Sequence, residues 1–166
     1  VYGTPTDSVL VGVRKVMQDI RPHLVVSGIN HGQNTADDVT YSGTIAAAME
    51  ATLMGIPAVA FSQDYNESGG KPDWGIARTY TAKVLKLLEG QEWQKNVLIS
   101  VNFPVAKPGI VPEIRAVSQG HYTLEKQEMV NCVDPRGRPY FWIGPPPERE
   151  IEDQSIDVGA LPAGHI

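Results

Sequence analysis

Apolar positions along the chain fall into two patterns, helical stripes and short unbroken runs. Val9, Val13 and the Val16/Met17 pair share one face of a 3.6-residue period, which predicts a helix from a Thr6 or Asp7 cap to about Met17. Arg21-Pro22 ends it. Leu24-Val25-Val26 is apolar and β-branched and reads as a short buried strand. A turn-rich loop is expected from Ser27 to about Tyr41. Ser42-Gly43-Thr44 then opens the alanine-rich run Ile45 to Met54, a strong helix former, with Gly55 suited to its end and Pro57 forbidding continuation. Ala58 to Ser62 is a second buried strand, and residues 63–74 form a polar loop. Ile76, Tyr80, Val84 and Leu87/Leu88 mark an amphipathic helix from about Gly75 to Leu88. Asn96 to Phe103 is a third strand, stopped by Pro104.

Strands alternating with helices predict a doubly wound, mostly parallel α/β sheet with right-handed crossovers. Beyond Pro104 the pattern changes. Ile114–Ser118 is strand-like, and Thr123–Val130 and Pro139–Ile143 flank the turn signal Asp134-Pro135-Arg136-Gly137, which predicts an extended β-hairpin. Gly144-Pro145-Pro146-Pro147 closes that hairpin, and residues 148–166 are acidic, then small and turn-rich. The expected organisation is a single domain, with an α/β core over 1–104, a hairpin arm over 105–147 and a return segment over 148–166.

Composition changes this picture little. A chain of 166 residues with 42% hydrophobic and 20% charged content suits one globular domain. A net charge of −5 argues against a general binder of nucleic-acid polymers, which needs a basic face. It leaves room for a small anion, because a few backbone N–H groups bind phosphate without a basic surface. The single cysteine, Cys132, has no internal disulfide partner and no evident activating group, which suits a reducing, cytoplasmic setting. No apolar run approaches a membrane span, and the opening Val1-Tyr2-Gly3-Thr4-Pro5 lacks both a signal-peptide pattern and an initiator Met.

Candidate chemistry concentrates between Leu24 and Met54. Ligands of parallel α/β sheets bind beyond the carboxyl ends of strands. Ser27-Gly28-Ile29-Asn30-His31-Gly32-Gln33-Asn34 lies there, with glycines that admit close backbone approach. Asn30 and Asn34 offer amide oxygens to hard cations and N–H groups to phosphate. Ser42-Gly43-Thr44 at a helix start offers unsatisfied amides, two hydroxyls and the favourable dipole end, a compact phosphate cradle; the alternative is a plain N-cap. Asp37-Asp38 is either a metal-binding pair or a solvated turn. His31 is a base, a ligand or neither, and His23, His121 and His165 lack metal spacing. Ser27 is not in a nucleophile elbow, since Val25 holds the position two before it. Trp74, Trp93 and Trp142 are dispersed, so no stacking platform is expected.

Several stretches resemble the SurE family (survival protein E) in order and spacing. They are Val1 to Asp7, Leu24 to Asn30, Gly32 to Asn34, Asp37-Asp38, Tyr41 to Glu50, Gly55 to Ala60, Val101 to Pro104, and Asp134 to Pro146. The resemblance implies a Rossmann-like fold and a phosphatase acting on nucleoside 5′-monophosphates, and also on 3′-monophosphates or short polyphosphate. It implies a divalent cation, Mg²⁺ or Mn²⁺, held by two consecutive aspartates, a serine and the asparagine that matches Asn30. Ser42, Gly43 and Thr44 match the residues against the substrate phosphate, and Asn34 a second loop asparagine near the site. The hairpin matches a dimerisation arm, so a homodimer or higher homo-oligomer that buries Tyr140, Phe141 and Trp142 is expected. The family's aspartate-pair strand and its serine loop lie upstream of the segment at which this sequence begins, and a further strand follows where it stops. The catalytic aspartates are therefore expected to be absent. That sets an alternative beside the phosphomonoesterase, namely an inactive fragment or weak anion-binding module.

Overall fold

The computed structural model describes residues 1–65, 73–122, 128–144 and 153–166. Its first helix, α1 (Pro5–Val11), runs directly into a π-helical turn at Gly12–Val16. The cap is Thr4, not Thr6 or Asp7. Its hydroxyl accepts from the Asp7 amide, and the Asp7 carboxylate accepts from the Thr4 amide at 2.8 Å. Pro5 explains the earlier start: its fixed φ and missing N–H suit the first helical position. Val9 and Val13 pack inward as expected, whereas Val16 is exposed.

Three strands, β1 (Val25–His31), β2 (Ala58–Gln63) and β3 (Ile99–Phe103), form a parallel sheet in the order β1-β2-β3. This is the doubly wound α/β architecture expected. Strand β2 is buried throughout and its two faces diverge. Ala58 and Ala60 meet Ile45, Ala48 and Ala51 of α3 (Gly43–Leu53), small against small, so helix and sheet approach closely. Val59 and Phe61 meet Ala77, Tyr80 and Val84 of α4 (Gly75–Leu88), where Phe61 stacks on Phe103 at 5.6 Å between ring centroids. The short helix α2 (Asp38–Tyr41) precedes α3. Arg21 donates to the Met54 and Gly55 carbonyls at 3.0 and 2.9 Å, satisfying the end of α3.

Strand β1 differs from expectation in a way that matters. It continues through Asn30 and His31, residues expected in a loop. The register to β2 shifts between Ser27 and Asn30 and then resumes. Gly28 makes this possible: its φ is +117°, and a Cβ there would stand 2.4 Å from the Phe61 carbonyl oxygen. Strand β3 is shorter than expected. Asn96 has φ +63° and the Val97 carbonyl accepts from the Trp93 indole, so the chain becomes extended only at Ile99.

The Ile114–Ser118 segment is no strand of the main sheet. It is tied instead to the end of the chain, by Arg115 N–H to the Ile166 carbonyl at 2.8 Å and by a parallel bridge from Ser118 to Ile156. A helix, α5 (Asp157–Ala163), occupies part of the segment expected to be turn-rich, and ends at Gly164 with φ +97°. The hairpin is present as β4 (Met129–Val133) and β5 (Pro139–Ile143), antiparallel with Val133 opposite Pro139. Its first strand runs right up to Asp134, which accepts from the Arg136 and Arg138 amides and sets the turn. The expected first-strand residues Thr123–Gln127 lie outside the described residues, as do Pro145–Pro147. No helix among the described residues is long and apolar enough to cross a membrane.

Candidate functional site

The carboxyl ends of the three strands present one polar row. Asn30 is in register with Ser62, and Ser62 with Asn102. Asn34 locks the following loop onto it. Its side-chain amide donates to the Ser62 hydroxyl at 2.7 Å, its backbone N–H to Asn102 Oδ1 at 2.8 Å, and its carbonyl accepts from Asn102 Nδ2 at 3.1 Å. Asn34 and Ser62 are buried, so each bond replaces water that is not there. Asn34 thus fixes the loop from within, and its side-chain N–H is committed to protein.

Asn30 and Thr44, both candidates from sequence, come together. The Thr44 hydroxyl donates to Asn30 Oδ1 at 3.2 Å, and Asn30 Nδ2 donates to the Gly32 carbonyl at 3.0 Å. Ser42 is the N-cap of α3, its hydroxyl accepting from the Ile45 amide at 3.2 Å. The capping reading of Ser42 is therefore real, and it does not compete with an anion. The cap serves the third helical amide, while those of Gly43 and Thr44, at the first two positions, make no backbone hydrogen bond among the described residues. Gly43 is exposed at this end, and a Cβ there would come 3.1 Å from Pro5 Cγ, so glycine lets the start of α1 lie against the start of α3. Beside them, Gly3, Pro5, Ser8, Val26, Ser27, Gly28 and Ala47 line an open hollow of about 430 Å³ against β1.

Asp37 and Asp38 do not point to a metal. The Asp37 carboxylate receives the Tyr122 amide at 2.6 Å and faces His121 Nδ1 at 3.1 Å, and these hydrogen bonds hold its carboxyl below the usual range. Burial pushes the Asp38 carboxyl up, against the Tyr122 hydroxyl at 3.4 Å. Burial also pushes the Tyr122 phenol up to about 12. Asp157 completes the cluster, accepting from Ala36 N–H at 2.8 Å and Gly120 N–H at 2.7 Å. This set staples the 34–38 loop to the 119–122 segment and to α5.

Among the described residues no three His, Cys, Asp or Glu side chains converge as a metal would need. Asn30 contributes a single amide oxygen, already accepting from Thr44. A hard divalent cation takes carboxylates and several oxygens, so the residues present do not by themselves fit one. His31, exposed at the end of β1, makes no hydrogen bond among the described residues; its ring lies 4.6 Å from that of Tyr65 and 6.3 Å from that of Trp74.

Sequence reasoning brought together Asn30, Ser42, Gly43 and Thr44 but missed Ser62 and Asn102. Their signal is a polar residue one place before the end of each strand, Asn30, Ser62 and Asn102, aligned only once the parallel register is known.

Comparison with known proteins agrees with this architecture. The family model described as Survival protein SurE matches residues 1–126. The 5′-nucleotidase SurE of Parvibaculum lavamentivorans is 48% identical over 145 residues, covering 87% of this chain and 52% of that protein. That of Paramagnetospirillum magneticum is 43% identical over 166 residues, covering all of this chain and 63% of that protein. The crystal structure of SurE protein from Aquifex aeolicus superposes with a TM-score of 0.80 at 30% identity, over 99% of this chain and 64% of that one. The chain thus spans roughly half to two thirds of these relatives' length. With the family model matching well over half of its residues, the chain belongs to the SurE family.

Proposed function

We propose that this chain carries the phosphate-binding part of a phosphomonoesterase acting on nucleoside 5′-monophosphates. The observation that carries the reading is the Thr44–Asn30 contact, which joins the start of α3 to the carboxyl end of β1. The phosphoryl group sits against the Gly43 and Thr44 amides, and the Asn30 side-chain N–H not donated to the Gly32 carbonyl adds a donor beside them, held in place by the Thr44 hydroxyl on Asn30 Oδ1. Aligned N–H groups and the helix dipole stabilise the charge that develops as the ester bond breaks. Ser42 holds the first turn in place through its cap and so positions those amides. The relatives' name, 5′-nucleotidase, supports the substrate class.

The whole enzyme requires Mg²⁺ or Mn²⁺ in this reading, although the described residues do not by themselves make a cation site. That observation favours a second reading, in which these 166 residues bind phosphate weakly and do not turn substrate over. One experiment separates the two. The chain is incubated with adenosine 5′-monophosphate with and without Mn²⁺, and inorganic phosphate is titrated in parallel while the Gly43 and Thr44 amides are followed by NMR. Metal-dependent phosphate release selects the enzyme. Amide shifts without release select the binding module. Silence in both assays sinks both readings. In the binding arm, Asn30→Ala and Thr44→Val are each expected to weaken phosphate by about 1 kcal/mol, the worth of a lost polar contact.

A further inference from the structure

Close to the Asn30–Thr44 contact lies a second surface of different chemistry. His31 ends β1, immediately after Asn30, and Tyr65 follows β2 by two residues. Their rings meet at 4.6 Å between centroids and 54° between planes. Trp74, the residue before α4, stands behind at 6.3 Å from the His31 ring and packs into the Phe61–Tyr80 core, so the group has a fixed floor. Gly32 lies between the two chemistries. A Cβ built on it would touch the Tyr65 ring edge at 3.3 Å and the Asn30 side-chain amide at 3.8 Å. The aromatic edge and the amide therefore flank one point of the loop.

Among the described residues, neither the imidazole nor the phenol ring is needed by the packing of the core. His31 is exposed, Tyr65 is 40% exposed, and neither belongs to a hydrophobic core cluster. Two tilted aromatic faces on a rigid base, beside a polar cradle, suit a flat heteroaromatic ring with an anionic end. A nucleotide is such a molecule, and stacking on aromatic side chains is a general way to hold a base.

We propose that Tyr65 and His31, backed by Trp74, hold the nucleoside half of the substrate while its phosphate lies against Gly43 and Thr44. This rests on the phosphate reading above and adds to it where the base is held. The three residues are dispersed in the sequence and meet only in the fold. Tyr65 contributes a ring face, so Tyr65→Phe keeps the surface and Tyr65→Ala removes it.

The test titrates the 166-residue chain with adenosine, adenosine 5′-monophosphate and inorganic phosphate, following the His31 and Tyr65 ring protons alongside the Gly43 and Thr44 amides. Adenosine is expected to move the ring signals upfield, phosphate the amides, and the monophosphate both. Tyr65→Ala should bind adenosine about tenfold more weakly than the wild-type chain, and Tyr65→Phe should match the wild type. Ring signals that ignore adenosine and the monophosphate overturn the inference, whatever the amides do. So does equal adenosine affinity in Tyr65→Ala and the wild type. Ring shifts with adenosine while phosphate leaves the amides still would uphold the nucleoside surface and remove the phosphate cradle.

Discussion

Single residues decide how the strand ends become a site. Gly28 is the most constrained of them. Alanine there must accept both φ +117° and a Cβ 2.4 Å from the Phe61 carbonyl oxygen. Gly28→Ala is expected to cost about 3 kcal/mol or more, since strain and a backbone clash add, and a denaturant melt of the variant measures it. The two adjacent carboxyls should titrate in opposite senses. The Asp37 carboxyl, lowered, supports folding above its usual value of 3.8 and loses that support as pH falls through its depressed pKa. The Asp38 carboxyl, raised, favours folding only while protonated, below that value, and the contribution is lost as pH rises through its elevated pKa. Asp37→Asn should therefore lower the melting temperature at neutral pH and matter little in acid. Asp38→Asn should be neutral or stabilising at neutral pH. Melting curves of both variants across the acid range check the signs. Sequence alone showed two carboxylates in a turn and left metal and structural roles open. What settled them was Tyr122, distant in sequence, which no local pattern could bring beside them.

At the scale of elements, the helices over 43–53 and 75–88 were legible because alanine content, apolar period and the Gly55 and Pro57 stops all agree. Strand β1 was underestimated because its ladder carries on through polar residues, and hydrophobicity marks where a strand is buried, not where it stops pairing. The helix α5 was hidden by Gly159 and by Pro162 inside it. Its start is positioned by Asp157, whose carboxylate takes amides from two other segments. Asp157→Asn keeps the volume but not the charge or the full acceptor set, and is expected to cost about 1–3 kcal/mol. Hydrogen exchange should then accelerate first at Ala36 and Gly120. Unchanged protection at both amides would mean that Asp157 is not what joins these segments.

For the whole molecule, the hairpin stands apart. Among the described residues β4 and β5 pair only with each other, and Phe141, Trp142, Ile143 and Met129 are largely exposed. An isolated two-stranded hairpin is marginal in water. We propose that a second copy of the chain covers it, as the family resemblance implied. Phe141→Lys together with Trp142→Lys should then weaken self-association at least tenfold in analytical ultracentrifugation. A wild-type chain that stays monomeric at high concentration would refute this.

The reciprocal Asn34–Asn102 pair joins the loop after the first strand to the end of the third, across the whole width of the sheet. Loop and sheet are thus tied into one frame, and ligand affinity becomes a gauge of whether that frame is intact. Warming should not first loosen the loop and later melt the core. Phosphate affinity and tertiary circular dichroism should instead disappear in one transition at one temperature, and Asn102→Ala should split that transition in two.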